Sequence, residues 1–212
     1  MPLTAKAGQD FETVEAGVYK GRCIKIIDLG THDVTWQEET QSKHKVIIMF
    51  ELPETCMKKE PNRGKPFAVS LFISLSLHKK SNLRPLLVGW RGKDFTEEEA
   101  KNFDILKLLD VPALINVIHN ERDGNVYANI ANIMPLKKKE CPIRINPLLS
   151  FSLESFDQKI FESLSENLQK KITSSEEYIQ LTTGQGMTVT EDDKNVVIDI
   201  TGDDVKDEEI PF

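Results

Sequence analysis

The sequence predicts a mainly β fold: a small five-stranded barrel with a helical insert between the third and fourth strands, followed by a helical extension and a disordered acidic tail. Three observations predict it. Apolar residues alternate with period two in several separate segments, and the period turns helical between residues 78 and 110. Strands then resume around Asp123-Gly124, a strong two-residue hairpin signal.

Residues 1–16 are small and polar, without a clear period, and read as a loose lead-in. Val18 to Leu29 is isoleucine-rich and closed by Gly30, which makes it the first strand. Its alternation slips, with Lys20 and Arg22 in one phase and Lys25 in the other. A bulge near Cys23, or strong coiling, would keep all three cations outside. Residues 30–43 read as a polar loop around Trp36. His44 to Leu52 alternates cleanly: Val46, Ile48, Phe50 and Leu52 point one way, Lys45, Ile47, Met49 and Glu51 the other. After a loop over 53–66, Phe67 to Leu77 forms the third strand, with Val69, Leu71, Ile73, Leu75 and Leu77 inside. Its outer face reads Ala68, Ser70, Phe72, Ser74, Ser76, one large aromatic among serines.

Ser81 is placed to cap a short helix carrying Leu83, Leu86, Leu87 and Trp90, with Pro85 tolerable near its start. Thr96 and Glu99 have the capping-box spacing of a second short helix. Ala113 to His119 and Asn125 to Ile133 are the last two strands. Three strands, a helical insert and two more strands is the element order of an OB-fold barrel, here over residues 17–147. Lys137 to Lys139 and a proline-punctuated crossing lead to the extension at 148–181. There Phe156, Ile160, Phe161, Leu164, Leu168 and Ile172 space out one amphipathic helix over 153–172, with 174–181 continuing it. From Thr182 onward glycine, threonine and acids dominate, and 182–212 reads as a disordered linker with a docking tip.

The chain has a formal net charge of −7, with 39% apolar and 29% charged residues, the balance a disordered tail adds to an ordinary core. Residues 191–212 hold two lysines against nine acids, so the rest of the chain sums to zero. Residues 1–149 carry 22 cations against 19 acids. The acidic whole-chain balance therefore does not exclude a nucleic-acid partner. Cys23, Cys56 and Cys141 lie far apart in no metal or pairing pattern and fit a reducing cytoplasm. No apolar run approaches the ~20 residues of a membrane helix, so a membrane partner is not expected.

Enzyme chemistry finds little support. Arg91-Gly92-Lys93 and Asn62-Arg63-Gly64-Lys65 lack the spacing of a phosphate-cradling loop. His32, His44, His78 and His119 show no metal-ligand spacing. Glu97, Glu98 and Glu99 follow a capping threonine and suit a helix N-terminus better than a catalytic carboxylate pair. A metal-dependent nuclease needs carboxylates converging from separate strands, and these strands offer only Asp28 and Glu51, both at strand ends. The expectation is a protein that is not an enzyme and needs no metal or other cofactor.

A binding face reads better. Single-strand binding needs cations for phosphates and flat apolar groups on which bases stack. The outer faces offer Lys20, Arg22, Lys25, Lys45, Ile47 and Met49, with Phe72 as the natural platform and packing under the C-terminal helix as its alternative. Trp36, from the first loop, and Tyr127, from the last strand, are further stacking candidates; Trp36 also suits a loop anchor. Lys79, Lys80, Arg84, Arg91 and Lys93 form a basic stretch around Trp90, itself a core residue. Lys137 to Lys139 suit either a groove or a solvated turn.

The closing stretch crowds Asp204, Asp207, Glu208 and Glu209 against Ile210-Pro211-Phe212. Crowded carboxylates disfavour packing, while an apolar terminus does nothing for solubility and suits a greasy pocket with a basic rim. This ending resembles the C-terminal tip of bacterial single-stranded-DNA-binding proteins. Gly17-Val18-Tyr19, Ile26 to Thr31, Ser76 to Arg84, Trp90 to Lys93, Phe95-Thr96 and Phe156-Asp157-Gln158 resemble phage-encoded OB-fold single-stranded-DNA-binding proteins. The resemblance implies coating of single strands during phage DNA replication and recombination in the bacterial host cytoplasm. It also implies recruitment of replication and repair enzymes through Asp207, Glu208, Glu209, Ile210, Pro211 and Phe212. The alternative is an OB-fold adaptor that binds no DNA and occupies host tip-docking pockets.

Overall fold

β1 (Gly17–Trp36) is the strand around which the others assemble, and its 20 residues pair with three partners. β2 (Glu39–Cys56) and β4 (Pro112–Arg122) run antiparallel to it, and β6 (Leu149–Phe151) runs parallel. With β3 (Pro66–Ser74) outside β2 and β5 (Asn125–Pro135) outside β4, the order is β3-β2-β1-β4-β5, with β6 off this path, in a six-stranded sheet. The protein is mainly β. The computed structural model describes residues 12–36, 39–122 and 124–184, and of Trp36 the backbone alone. The expected linker and tip, apart from Thr182 to Gly184, lie outside the described residues. β3 and β5 stand at opposite ends of the strand order; they approach each other across a groove without pairing.

The first strand bulges where its alternation slips: the β1–β2 register shifts between Cys23 and Lys25, and again between Asp28 and Gly30. The second shift coincides with a left-handed Gly30, at φ 76. The bulge does not keep Arg22 outside, however; Arg22 is buried. The polar loop expected over 30–43 is a continuation of both strands, paired from Thr31↔His44 out to Trp36↔Glu39. Cross-strand bonds such as Ser42 Oγ to Asp33, and the Thr35–Thr40 hydroxyl pair, let polar residues form a ladder without an apolar face.

Each face of β1–β2 is buried against a different core. Ile26, Val46, Ile48, Phe50 and Leu52 enter the first, with Trp90 from α1 (Leu83–Arg91), Ile115 and Ile133. Ile27, Leu29 and Ile47 enter the second, with Phe151, Leu153, Phe161, Leu164 and Ile172. Ile47 is thus covered, where alternation placed it outward, because the C-terminal extension lies over that face. The extension is three short helices, α3 (Gln158–Ser163), α4 (Glu166–Thr173) and α5 (Glu176–Thr183), where the spacing predicts one. Serines break it: Ser163 and Ser174 donate to carbonyls three residues back, and Ser175 caps α5.

Between β3 and β4 lie α1 and α2 (Glu97–Asn102). The capping box forms as expected: Thr96 Oγ1 accepts from Glu99 N, and Glu99 Oε2 accepts from Thr96 N at 2.8 Å. The N-cap of α1 is Asn82, and Ser81 serves only by accepting from Arg84 N at 3.3 Å. Arg122↔Asn125 closes the β4–β5 hairpin around a left-handed Gly124. β3 ends at Ser74, and Leu75, expected inside, is 39% exposed. Val14, in the expected lead-in, is buried in the first core. Among the described residues no helix is long and apolar enough to cross a membrane.

Candidate nucleic-acid interface

β3 is an edge strand whose outer phase pairs Ser70 with Met49 and Phe72 with Ile47. At the end of that phase Phe72 is 58% exposed. Opposite it, the β4–β5 hairpin extends beyond the first core and presents Tyr127, 50% exposed, paired with Asn120. The two rings line one open groove of about 740 Å³. It is also lined by Phe67 to Ser70 of β3, by Asn120, Arg122, Ala128 and Asn129 of the β4–β5 hairpin, and by Glu12 to Val14. Glu12 is held by the backbone N–H groups of Lys58 and Lys59, each at 2.8 Å; the Lys59 amide, foremost, keeps its carboxyl below the usual range.

The groove is amphipathic rather than strongly charged. Two aromatic faces, two asparagine amides and Ser70 stand beside Arg122 and Glu12. A cation reaches the platform from elsewhere in the chain: Lys171 Nζ of α4 lies 5.5 Å from the centroid of Phe72. Such a set can stack flat heterocycles, hydrogen-bond their edges and neutralise an adjacent phosphate.

The other sequence candidates divide by burial. Lys25 and Met49 are half-buried and face each other across β1–β2, one strand from Ser70. Lys45 is half-buried and donates to Ser74 Oγ at 2.9 Å; burial, then Lys43, lowers its pKa. Lys20 pairs with Glu54 at 3.5 Å. Trp36 closes β1, and its side chain lies outside the described part. Lys80 and Lys93 are exposed, and Lys79 pairs with Glu97 at 3.1 Å. Lys79 lines a separate depression of about 450 Å³ with His78, Arg84, Glu97 and Lys101, which shares no residue with the aromatic groove. Asp207 to Phe212 lie outside the described residues.

Three arginines leave the binding face. Arg22 donates to the carbonyls of Pro142, Asp110, Lys138 and Cys141 and is 4% exposed. Arg84 donates to Leu77 O, Phe95 O and Asp94, and Arg91 to Glu99 while stacking over Phe95 at 4.2 Å. The Arg91 contact, followed by the Thr96 amide, draws Glu99 down to about 2. A guanidinium presents five donors and satisfies loop carbonyls that no strand pairs with. Sequence spacing cannot separate this use from phosphate binding.

Asn120, Arg122 and Asn129 line the groove, and Lys171 stands over Phe72, without having been singled out by sequence. The asparagines carry a weak signal, recurring along the hairpin at Asn116, Asn120, Asn125, Asn129 and Asn132. Lys171 carries none, since its place beside Phe72 follows from how α4 docks. Among the described residues no group of three or more His, Cys, Asp or Glu is placed to hold a metal ion. Comparison with known proteins finds no family model that matches the chain and no matching curated protein.

Proposed function

We propose that the chain is a single-stranded-DNA-binding protein of the phage-encoded kind, not an enzyme, whose body is an OB-fold barrel. The reading rests on one observation above all: Phe72 and Tyr127, from different ends of the strand order, are both exposed and line the same groove. The barrel part is supported by the order β3-β2-β1-β4-β5, by the approach of β3 and β5, and by α1 and α2 lying between β3 and β4 in sequence. Unpaired bases stack on the two rings, asparagine amides meet base edges, and Lys171, Lys25 and Lys45 accompany the phosphates. The acidic tail recruits replication and repair enzymes through Asp207 to Phe212.

Titration of a fluorescent oligo-dT tests this. Phe72→Ala and Tyr127→Ala are each expected to weaken binding by about 1–3 kcal/mol, the worth of one stacked base. Thermal stability should hold in both, because neither ring is in a core. Affinity should also fall as salt rises. Full-strength binding by the double variant sinks the assignment of the groove. A second reading, an interaction adaptor, is favoured by Ile143 and Ile145, which are 83% and 63% exposed on the crossing between β5 and β6. An adaptor would not retard oligonucleotides at physiological salt.

A further inference from the structure

His44, on β2, stands between two carboxylates. Its Nε2 is 2.6 Å from Asp28 Oδ1, and its Nδ1 is 3.3 Å from Glu177 Oε1 of α5. Glu177 also accepts from Thr31 N at 2.7 Å and from Thr31 Oγ1 at 2.6 Å. Asp28 accepts from Gly30 N at 2.9 Å and from Leu153 N at 3.1 Å. The cluster ties the β1–β2 hairpin to two stretches more than a hundred residues further along the chain.

Apart from His44, α5 is held by the two Thr31 bonds to Glu177 and by the Tyr178 ring, which packs on Phe156 and Phe161. None of its residues is buried, Ile179 is 50% exposed, and Tyr178 is the α5 side chain that packs on the second core. Its capping Ser175 sits directly on Gly30, where a Cβ would also lie 2.7 Å from Glu177 Oε2. A charged imidazole has an N–H for each carboxylate; a neutral one keeps a single N–H between two anions. We infer that His44 is a proton-operated latch, which holds α5 firmly on the β1–β2 hairpin while charged and loosens it when neutral. This concerns the attachment of α5 and does not depend on what ligand the groove takes.

The groups facing His44 are Asp28 from β1, Glu177 from α5 and Glu154 from the segment before α3; Lys43 and Lys45 are its charged neighbours on β2. The Asp28 hydrogen bond raises the histidine's pKa against burial, and the three carboxylate charges add to it. Burial pushes Asp28 and Glu177 up, but their hydrogen bonds, to His44, Gly30 and Leu153 for one and to Thr31 for the other, bring both below ordinary values. The histidine's contribution is therefore complete below ~6.5 and is lost as pH rises through its raised value. The carboxylates' contribution is complete above ~4.3 and is lost as pH falls through their lowered values. The latch is tightest in mildly acidic solution and loosens on the alkaline side.

Hydrogen exchange in the full chain tests this at about pH 6 and about pH 8.5, on either side of the histidine range. Rates are corrected for intrinsic exchange, with β4–β5 amides as internal reference. Amides of α5 such as Ile179 N, bonded to Ser175 O, are expected to lose protection at the higher pH while the reference does not. In His44→Gln they should be weakly protected at both. Protection of α5 that tracks the reference, or the same alkaline loss in His44→Gln, overturns the latch. Should that variant fail to fold, Glu177→Gln keeps the ring. The NMR titration midpoint of His44 should then fall, and an unmoved midpoint overturns the latch as well.

Discussion

Arg22 and Glu51 show how a charged residue on a strand is put to structural use. Glu51 is 0% exposed and accepts from the backbone N–H groups of Ile145 and Asn146 and from the Asn146 amide. Arg22, paired with Glu51 across β1–β2, takes four carbonyls of nearby loops. Together they fasten the crossing between β5 and β6 over the outer face of the sheet, because an extended segment without strand partners must satisfy its backbone groups otherwise. Arg22→Met leaves those carbonyls without donors. A loss of about 3–5 kcal/mol is expected in denaturant unfolding, as when one partner of a buried polar cluster is removed. A loss under about 1 kcal/mol, the level of a surface pair, would mean the network matters little. Phe72 is the converse case. An aromatic in a row of serines is visible in sequence; that it stays 58% exposed, with the tip of Lys171 over its ring, is not.

At the scale of elements, the parts governed by local chemistry were legible. The Thr96–Glu99 capping box needs only residues three apart, and the Asp123-Gly124 hairpin needs only a glycine free to take positive φ. Thr96→Ala is expected to cost about 1 kcal/mol, the usual worth of an N-cap, read as a lower thermal midpoint. The Glu99 carboxylate keeps its bonds to Thr96 N and Arg91, so the loss is that of the Glu99 N–H acceptor alone. Where neighbours decide, the reading failed. The 30–43 stretch looks like a loop because it lacks an apolar face, yet cross-strand polar pairs carry it as a ladder. The single C-terminal helix became three because serine hydroxyls take the carbonyls a continuing helix would use, while its apolar spacing still delivered every predicted side chain to the second core or its edge.

For the whole molecule, the division of charge is the most direct consequence of composition. A body that sums to zero carries a closing stretch of net −7, so the binding proposed for the body and the recruitment proposed for the tail should be separable. Deleting Ile210 to Phe212 is expected to leave oligonucleotide affinity unchanged. A clear loss would show that the tip, rather than the groove, contributes the contact.

The sequence by itself determined the β-rich class, the order of the first five strands, the hairpin and the capping box. Each of those follows from period, propensity or a turn residue, all of which act over a few positions. Tertiary structure alone decided that both faces of β1–β2 are covered, that Arg22, Arg84 and Arg91 are internal, and that Lys171 and Tyr127 stand with Phe72. Those outcomes depend on side chains a hundred residues apart competing for the same surface, and no local pattern records who wins.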